Sequence, residues 1–208
     1  MELFIKICGI TNLEDAELAV SCGADALGFI MYEKSPRKIN KEKILKIIEE
    51  LPERIVPVLV FVNSSSEYVK TCLEMSPKLI PQFHGEETPE FCSSFGRDFL
   101  KALRVSGEED LHPIFESYSK SWMLLLDSYQ KNDFGGTGKS FDWKSLKEKK
   151  FNKPYLLAGG LNPENVEMAL SLASCAGLDV SSGVESSTGK KDSIKLRKFI
   201  ETARNFSD

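Results

Sequence analysis

The stretch LFIKICGIT, Leu3 to Thr11, runs from an apolar segment through Cys8 and Gly9 directly into residues with helical spacing. A short, nearly continuous apolar run suits a parallel strand covered on both faces rather than a strand with one wet side. A helix that follows at once makes the pair a β–α unit. The cysteine at the end of such a strand has two readings: an ordinary buried thiol of the core, or a thiol set at the mouth of a site.

The same unit recurs along the chain. Strand-length apolar runs lie at Leu3–Cys8, Ala24–Tyr32, Ile55–Asn63, Lys78–His84, Phe99–Val105, Trp122–Ser128, Tyr155–Gly159 and Leu178–Ser182. Helix starts are legible between them. Thr11-x-x-Glu14 and Ser64-x-x-Glu67 fit capping boxes. Asn40 precedes a segment whose Ile44, Leu45, Ile47, Ile48 and Leu51 share one face, and Asn162-Pro163 places proline at a first helical turn. A last helix, about Ser193 to Arg204, sets Ile194, Leu196, Phe199 and Ile200 to one side. Eight such units with no low-complexity linker predict an α/β fold, a (β/α)8 TIM barrel forming a single domain over 1–208. A doubly wound open sheet is the alternative, but the glycine fingerprint after its first strand is absent. Pro81 is the one residue that sits badly, since proline is poorly tolerated in an internal strand.

Composition narrows the function classes. The chain has 208 residues, 41% hydrophobic and 28% charged, with net charge −4, so no basic surplus points to nucleic acid. No apolar run is long enough to span a bilayer, and no secretory signal pattern opens the chain; the odd, unpaired cysteines predict a reducing, cytoplasmic setting. Five cysteines without CxxC pairs favour neither a disulfide framework nor a zinc site, and no His/Asp/Glu cluster suggests another metal.

In a barrel the site lies at the C-terminal ends of the strands, and polar residues collect there. The small residues Gly159, Gly160, Ser181, Ser182 and Gly183 close strands seven and eight, where backbone N–H groups can approach a phosphate at a short extra helical turn. VESSTGKKD, after Gly183, has the length for that turn. Barrel closure sets strand eight beside strand one and strand seven beside strand six, so Asp127 and Cys8 flank the phosphate. A lone carboxylate ending an apolar strand costs stability unless paired or used. A thiol works as a base only with cationic or N–H help, and the other four cysteines fall in helical segments or their ends as ordinary buried thiols. Arg37 is either a solvated loop charge or a bidentate fork for a carboxylate. His84 is a base, a ligand contact or a structural histidine. GGTGKS, Gly135 to Ser140, is not a P-loop, because Asp133 stands where the first glycine is required.

KICGIT, the KSPR loop, GGTGKSFDW, LLAGGLNPENV and DVSSGVE, in this order from near residue 5 to about 200, resemble the successive motifs of the phosphoribosylanthranilate isomerases of tryptophan biosynthesis. The resemblance implies an Amadori rearrangement of a phosphorylated aminoaldose to an aminoketose, a phosphorylated small-molecule substrate, and no cofactor or metal. It implies Asp127 as general acid, Cys8 as general base and Arg37 as the holder of the anthranilate carboxylate. Gly159, Gly160, Ser181, Ser182 and Gly183 would hold the phosphate, with Asp179 and His84 among the substrate-binding residues and a monomer or homodimer as the assembly. The chain departs from the pattern at IPQFHG, where VQLHG is usual, at Thr188 and in the polar spacer YQKNDF. The histidine-pathway isomerase would require an aspartate in place of Cys8, and indole-glycerol-phosphate synthase would require lysines at strand ends. A catalytically silent phosphate-binding barrel is the reading from another class.

Overall fold

The computed structural model describes residues 2–106, 109–128, 143–146, 149 and 151–207. Eight parallel strands close on themselves: β1 (Phe4–Cys8), β2 (Ala26–Ile30), β3 (Val56–Phe61), β4 (Ile80–Phe83), β5 (Leu100–Val105), β6 (Met123–Ser128), β7 (Tyr155–Leu157) and β8 (Gly177–Val180). Closure is made by β8 lying against β1 with Ile5 opposite Leu178 and Ile7 opposite Val180. The open doubly wound sheet is thereby ruled out. All eight expected strands are present, trimmed by one or two residues at most ends, while β8 begins one residue earlier, at Gly177.

The connecting helices are α1 (Leu13–Cys22), α2 (Lys41–Glu50), α3 (Ser66–Leu73), α4 (Pro89–Ser93), α5 (His112–Ser117), α6 (Val166–Leu172) and α7 (Ser193–Ser207). Among the described residues a 3-10 turn, Trp143–Leu146, follows β6. Two expected caps move by one residue. Asn12, not Thr11, caps α1 by accepting from the Asp15 N–H at 2.8 Å, and Thr11 Oγ1 instead donates to the Gly189 carbonyl. Ser65, not Ser64, caps α3. Asn40 caps α2 as expected, accepting from the Lys43 N–H. Asn162-Pro163 opens a turn rather than the helix itself, and α6 begins at Val166. On α7, Leu196, Phe199 and Ile200 are buried, whereas Ile194 is 78% exposed because it stands on the outer side of the first turn.

Side chains alternate between two apolar layers, as the period of two along a strand requires. Inside the barrel, Ala26, Val58, Leu100, Leu125 and Leu156 form a small core. The opposite faces of the strands carry Ile5, Ile7, Leu59, Phe61, Phe83, Leu124 and Leu178 into a larger layer beneath the helices. Pro81 does not break β4. It lies opposite Leu59 of β3, and the register with β5 begins only at the next residue, Gln82 opposite Leu100.

Candidate active site

At the C-terminal rim a cavity open to solvent takes lining from the ends of all eight strands. Cys8, Arg37, His84, Asp127, Gly159, Gly160, Asp179, Ser181, Ser182 and Gly183 all line it. The rim therefore brings together every residue the sequence singled out there. Val60, Val62, Ile30 and Pro36 add an apolar wall.

Cys8 is the last residue of β1, and Lys6, two positions earlier, points to the same side, into the barrel. Lys6 is fully buried and its Nζ lies 2.6 Å from Asp179 Oδ1 of β8. Gly28 on the adjacent β2 makes room for both. A Cβ there would stand 2.7 Å from Cys8 Sγ and 3.0 Å from Lys6 Nζ. Burial pushes the Cys8 thiol above its ordinary value, Lys6 and Lys191 pull it back, and Asp179 pushes it further up. Burial also opposes the charge on Lys6, but Asp179 and Cys8 outweigh it and leave the ammonium favoured. Asp179, expected as a ligand contact, is thus engaged by Lys6.

Across the cavity, Asp127 Oδ2 lies 3.1 Å from His84 Nε2, and the other ring nitrogen, Nδ1, lies 3.1 Å from Gln82 Nε2. With Gln82 Nε2 as the donor, Nδ1 accepts and Nε2 is the ring nitrogen that donates to the carboxylate. The departure from the usual motif around Pro81 therefore leaves His84 at the rim. Arg104 of β5 also lines the cavity, in register with Asp127.

Arg37 is neither a solvated loop charge nor an open fork. Its Nε and Nη2 grip Glu185 at 2.8 to 3.1 Å, and Lys191 Nζ reaches the same carboxylate at 3.0 Å. Lys191 Nζ also donates to the carbonyls of Cys8 (2.6 Å) and Ser181 (3.2 Å), tying the ends of β1 and β8. Burial tends to protonate Glu185, yet Arg37 and Lys191 outweigh it and hold its carboxyl below the usual range. Burial in turn pushes the Lys191 ammonium down. Nη1 of Arg37 lies outside the clasp.

The loops after β7 and β8 are pressed together. Gly159 and Gly160 both have positive φ (83° and 71°), a conformation glycine adopts without strain. Asn165 Nδ2 holds the Gly160 carbonyl at 2.9 Å. At Gly183 a Cβ would collide with the Leu161 carbonyl oxygen. The short extra turn is a 3-10 helix at Ser182–Val184, ahead of the segment expected to form it. VESSTGKKD instead makes a hairpin of β9 (Glu185–Ser187) and β10 (Lys190–Lys191), which carries Glu185 and Lys191 back to the rim. Among the described residues Ser181 Oγ is buried with no hydrogen-bond partner.

Sequence reading missed Lys6, Gly28, Gln82, Arg104, Glu185 and Lys191. Only Lys6 carried a usable signal, as a charge inside an apolar strand two residues from Cys8. Cys22, Cys72, Cys92 and Cys175 stay away from the cavity, with Cys175 in the connection before β8 rather than on a helix. Gly135 to Ser140 lies outside the described residues. Among the described residues no group of three or more His, Cys, Asp or Glu could hold a metal ion, and no helix is long and apolar enough to cross a membrane.

The sequence profile of the family described as N-(5'phosphoribosyl)anthranilate (PRA) isomerase matches residues 5–202. An N-(5'-phosphoribosyl)anthranilate isomerase of Acidithiobacillus ferrooxidans is 44% identical over 200 residues, covering 96% of this chain and 97% of that protein. The crystal structure of phosphoribosyl anthranilate isomerase from Thermotoga maritima is 40% identical with a TM-score of 0.89, covering 98% and 99% of the two chains. Another solved phosphoribosyl anthranilate isomerase, in complex with reduced 1-(o-carboxyphenylamino)-1-deoxyribulose 5-phosphate, is 38% identical with a TM-score of 0.85 over the same shares.

Proposed function

The chain belongs to the N-(5'-phosphoribosyl)anthranilate isomerase family, and from that premise we propose that it isomerises N-(5'-phosphoribosyl)anthranilate with Asp127 as acid and Cys8 as base. The observation that carries this reading is the placement of a carboxyl and a thiol on opposite walls of one cavity, with the small-residue loops of β7 and β8 between them.

Asp127 gives a proton to the furanose ring oxygen. The C1–O bond breaks, and the anthranilate nitrogen lone pair forms a C1=N iminium. His84 holds Oδ2, which leaves Oδ1 to carry the proton. The iminium is an electron sink, so the C2 proton becomes acidic enough for a thiolate to remove. The C2–H electrons become the C1=C2 bond of an enolamine. This tautomerises to the ketone by losing the O2 proton and gaining one at C1. Atoms balance, and the product is the 1-amino-1-deoxyketose.

The phosphate is held by backbone N–H groups of Gly159, Gly160, Ser182 and Gly183 with the Ser181 hydroxyl. Arg37 offers Nη1 to the substrate carboxylate while Glu185 fixes the plane of its guanidinium, and the wall of Ile30, Val60 and Val62 suits an aromatic ring. Asp179 acts at the substrate site through Lys6. We place the enzyme in the cytoplasm as one domain over 1–208, acting on a phosphorylated small molecule as a monomer or homodimer, with five free cysteines that suit a reducing compartment.

The test follows the anthranilate-type fluorescence of freshly generated N-(5'-phosphoribosyl)anthranilate after adding the purified chain. Loss well above the spontaneous background is expected. A folded chain that binds a phosphorylated product analogue and leaves the fluorescence unchanged would overturn the reading.

A further inference from the structure

A thiol makes a poor base in a buried site, because burial favours its neutral form. Cys8 is 6% exposed, so something close by must hold the thiolate. Among the described residues, four charged side chains face it. Lys6 comes from β1, Asp179 from β8, Lys191 from β10 and Arg37 from the loop between β2 and α2. Arg37 and Lys191 share Glu185, and Lys191 gives its remaining bonds to the Cys8 and Ser181 carbonyls. Lys6 stands apart from that network. It lies inside the barrel beneath Cys8, and among the described residues its carboxylate partner is Asp179.

An ion pair at this depth is weak evidence of a purely stabilising role. Removing both charges from water costs heavily, and an apolar pair of similar volume often serves stability as well or better. Nor is packing left to chance around it. Gly28 lacks the side chain that would displace both Cys8 Sγ and Lys6 Nζ.

We propose that Lys6 is the positioning residue that makes Cys8 a working base, its buried ammonium being shared between the Asp179 carboxylate and the Cys8 thiolate. Asp179 keeps the ammonium charged when Cys8 is a thiol. When Cys8 loses its proton, the same ammonium turns from a singly paired cation into the bridge between two anions. The inference rests on the reading of Cys8 as the base.

The two partners of Lys6 give variants with opposite signs. The readout is the pH dependence of iodoacetamide alkylation at Cys8, with the modified residue mapped by mass spectrometry. Lys6→Met removes the cation, so the alkylation midpoint should rise by about one pH unit or more, and kcat should fall by at least roughly tenfold. Asp179→Asn keeps the shape but removes the competing anion, so the midpoint should fall. A role confined to packing would lower Tm in both variants without moving the midpoints apart. Asp179→Asn, the milder change, decides the matter if Lys6→Met does not fold. An unshifted midpoint in folded Asp179→Asn protein, or in folded Lys6→Met protein, would overturn the proposal. Midpoints that move apart while kcat stays at the wild-type value would overturn instead the reading of Cys8 as base.

Discussion

His84 Nε2 lies 3.1 Å from Asp127 Oδ2, joining the end of β4 to β6, and Gln82 Nε2 lies 3.1 Å from the other ring nitrogen. The pair ties the proposed acid to a strand that is not its neighbour in the barrel. Its effect on catalysis should therefore run through Asp127 alone. In His84→Ala, kcat should fall by roughly tenfold or more, while in an Asp127→Asn background the same change should cost little further. Equal losses in the two backgrounds would mean that His84 acts independently.

Arg37 meets Glu185 through two nitrogens, a geometry that lysine cannot reproduce. Arg37→Lys should raise KM by roughly tenfold or more, the scale of a lost hydrogen bond to a charged group, with a smaller change in kcat. Steady-state kinetics separates the two. An unchanged KM would remove Arg37 from substrate binding.

Glu185 also sets a pH dependence. Arg37 and Lys191 hold its folded carboxyl below the value of about 4.3 expected in the unfolded chain. A depressed acid contributes stability that is present above the unfolded value and is lost as pH falls through the folded one. Unfolding by urea between about pH 5 and pH 2 should show this loss in the wild type, and a flatter acid limb in Glu185→Gln. Parallel curves for the two proteins would show that the clasp is not what titrates.

Gly183 is wedged against the Leu161 carbonyl, where no side chain fits. Gly183→Ala forces the loops of β7 and β8 apart, at about 1–3 kcal/mol for overpacking. For a chain of this size that is a fall in Tm of roughly 2–12 °C. Affinity for inorganic phosphate should drop with it, read by calorimetry. Wild-type phosphate affinity in a folded variant would place the phosphate elsewhere.

The barrel was legible because its strands are apolar on both faces and recur at short intervals, and the rim residues were legible because they end those strands. Local signals located the caps only to within a residue. Thr11 and Asn12 are both good capping types, and the contact of Thr11 with Gly189, far along the chain, settles which one caps. The charged network was hidden for the same reason. Lys6 and Asp179 are 173 residues apart, and Arg37 and Glu185 148, so no spacing announces either pair. VESSTGKKD reads as a loop of the right length for a phosphate turn, but only the fold-back of its hairpin shows that it carries Glu185 and Lys191 to the rim.

The acid–base pair is tested most directly by single-turnover fluorescence with N-(5'-phosphoribosyl)anthranilate in Cys8→Ser and Asp127→Asn, alongside their affinity for a product analogue. Near-wild-type affinity with turnover reduced by more than ~10² is expected in each variant. Turnover close to wild type in either one would contradict the acid–base assignment.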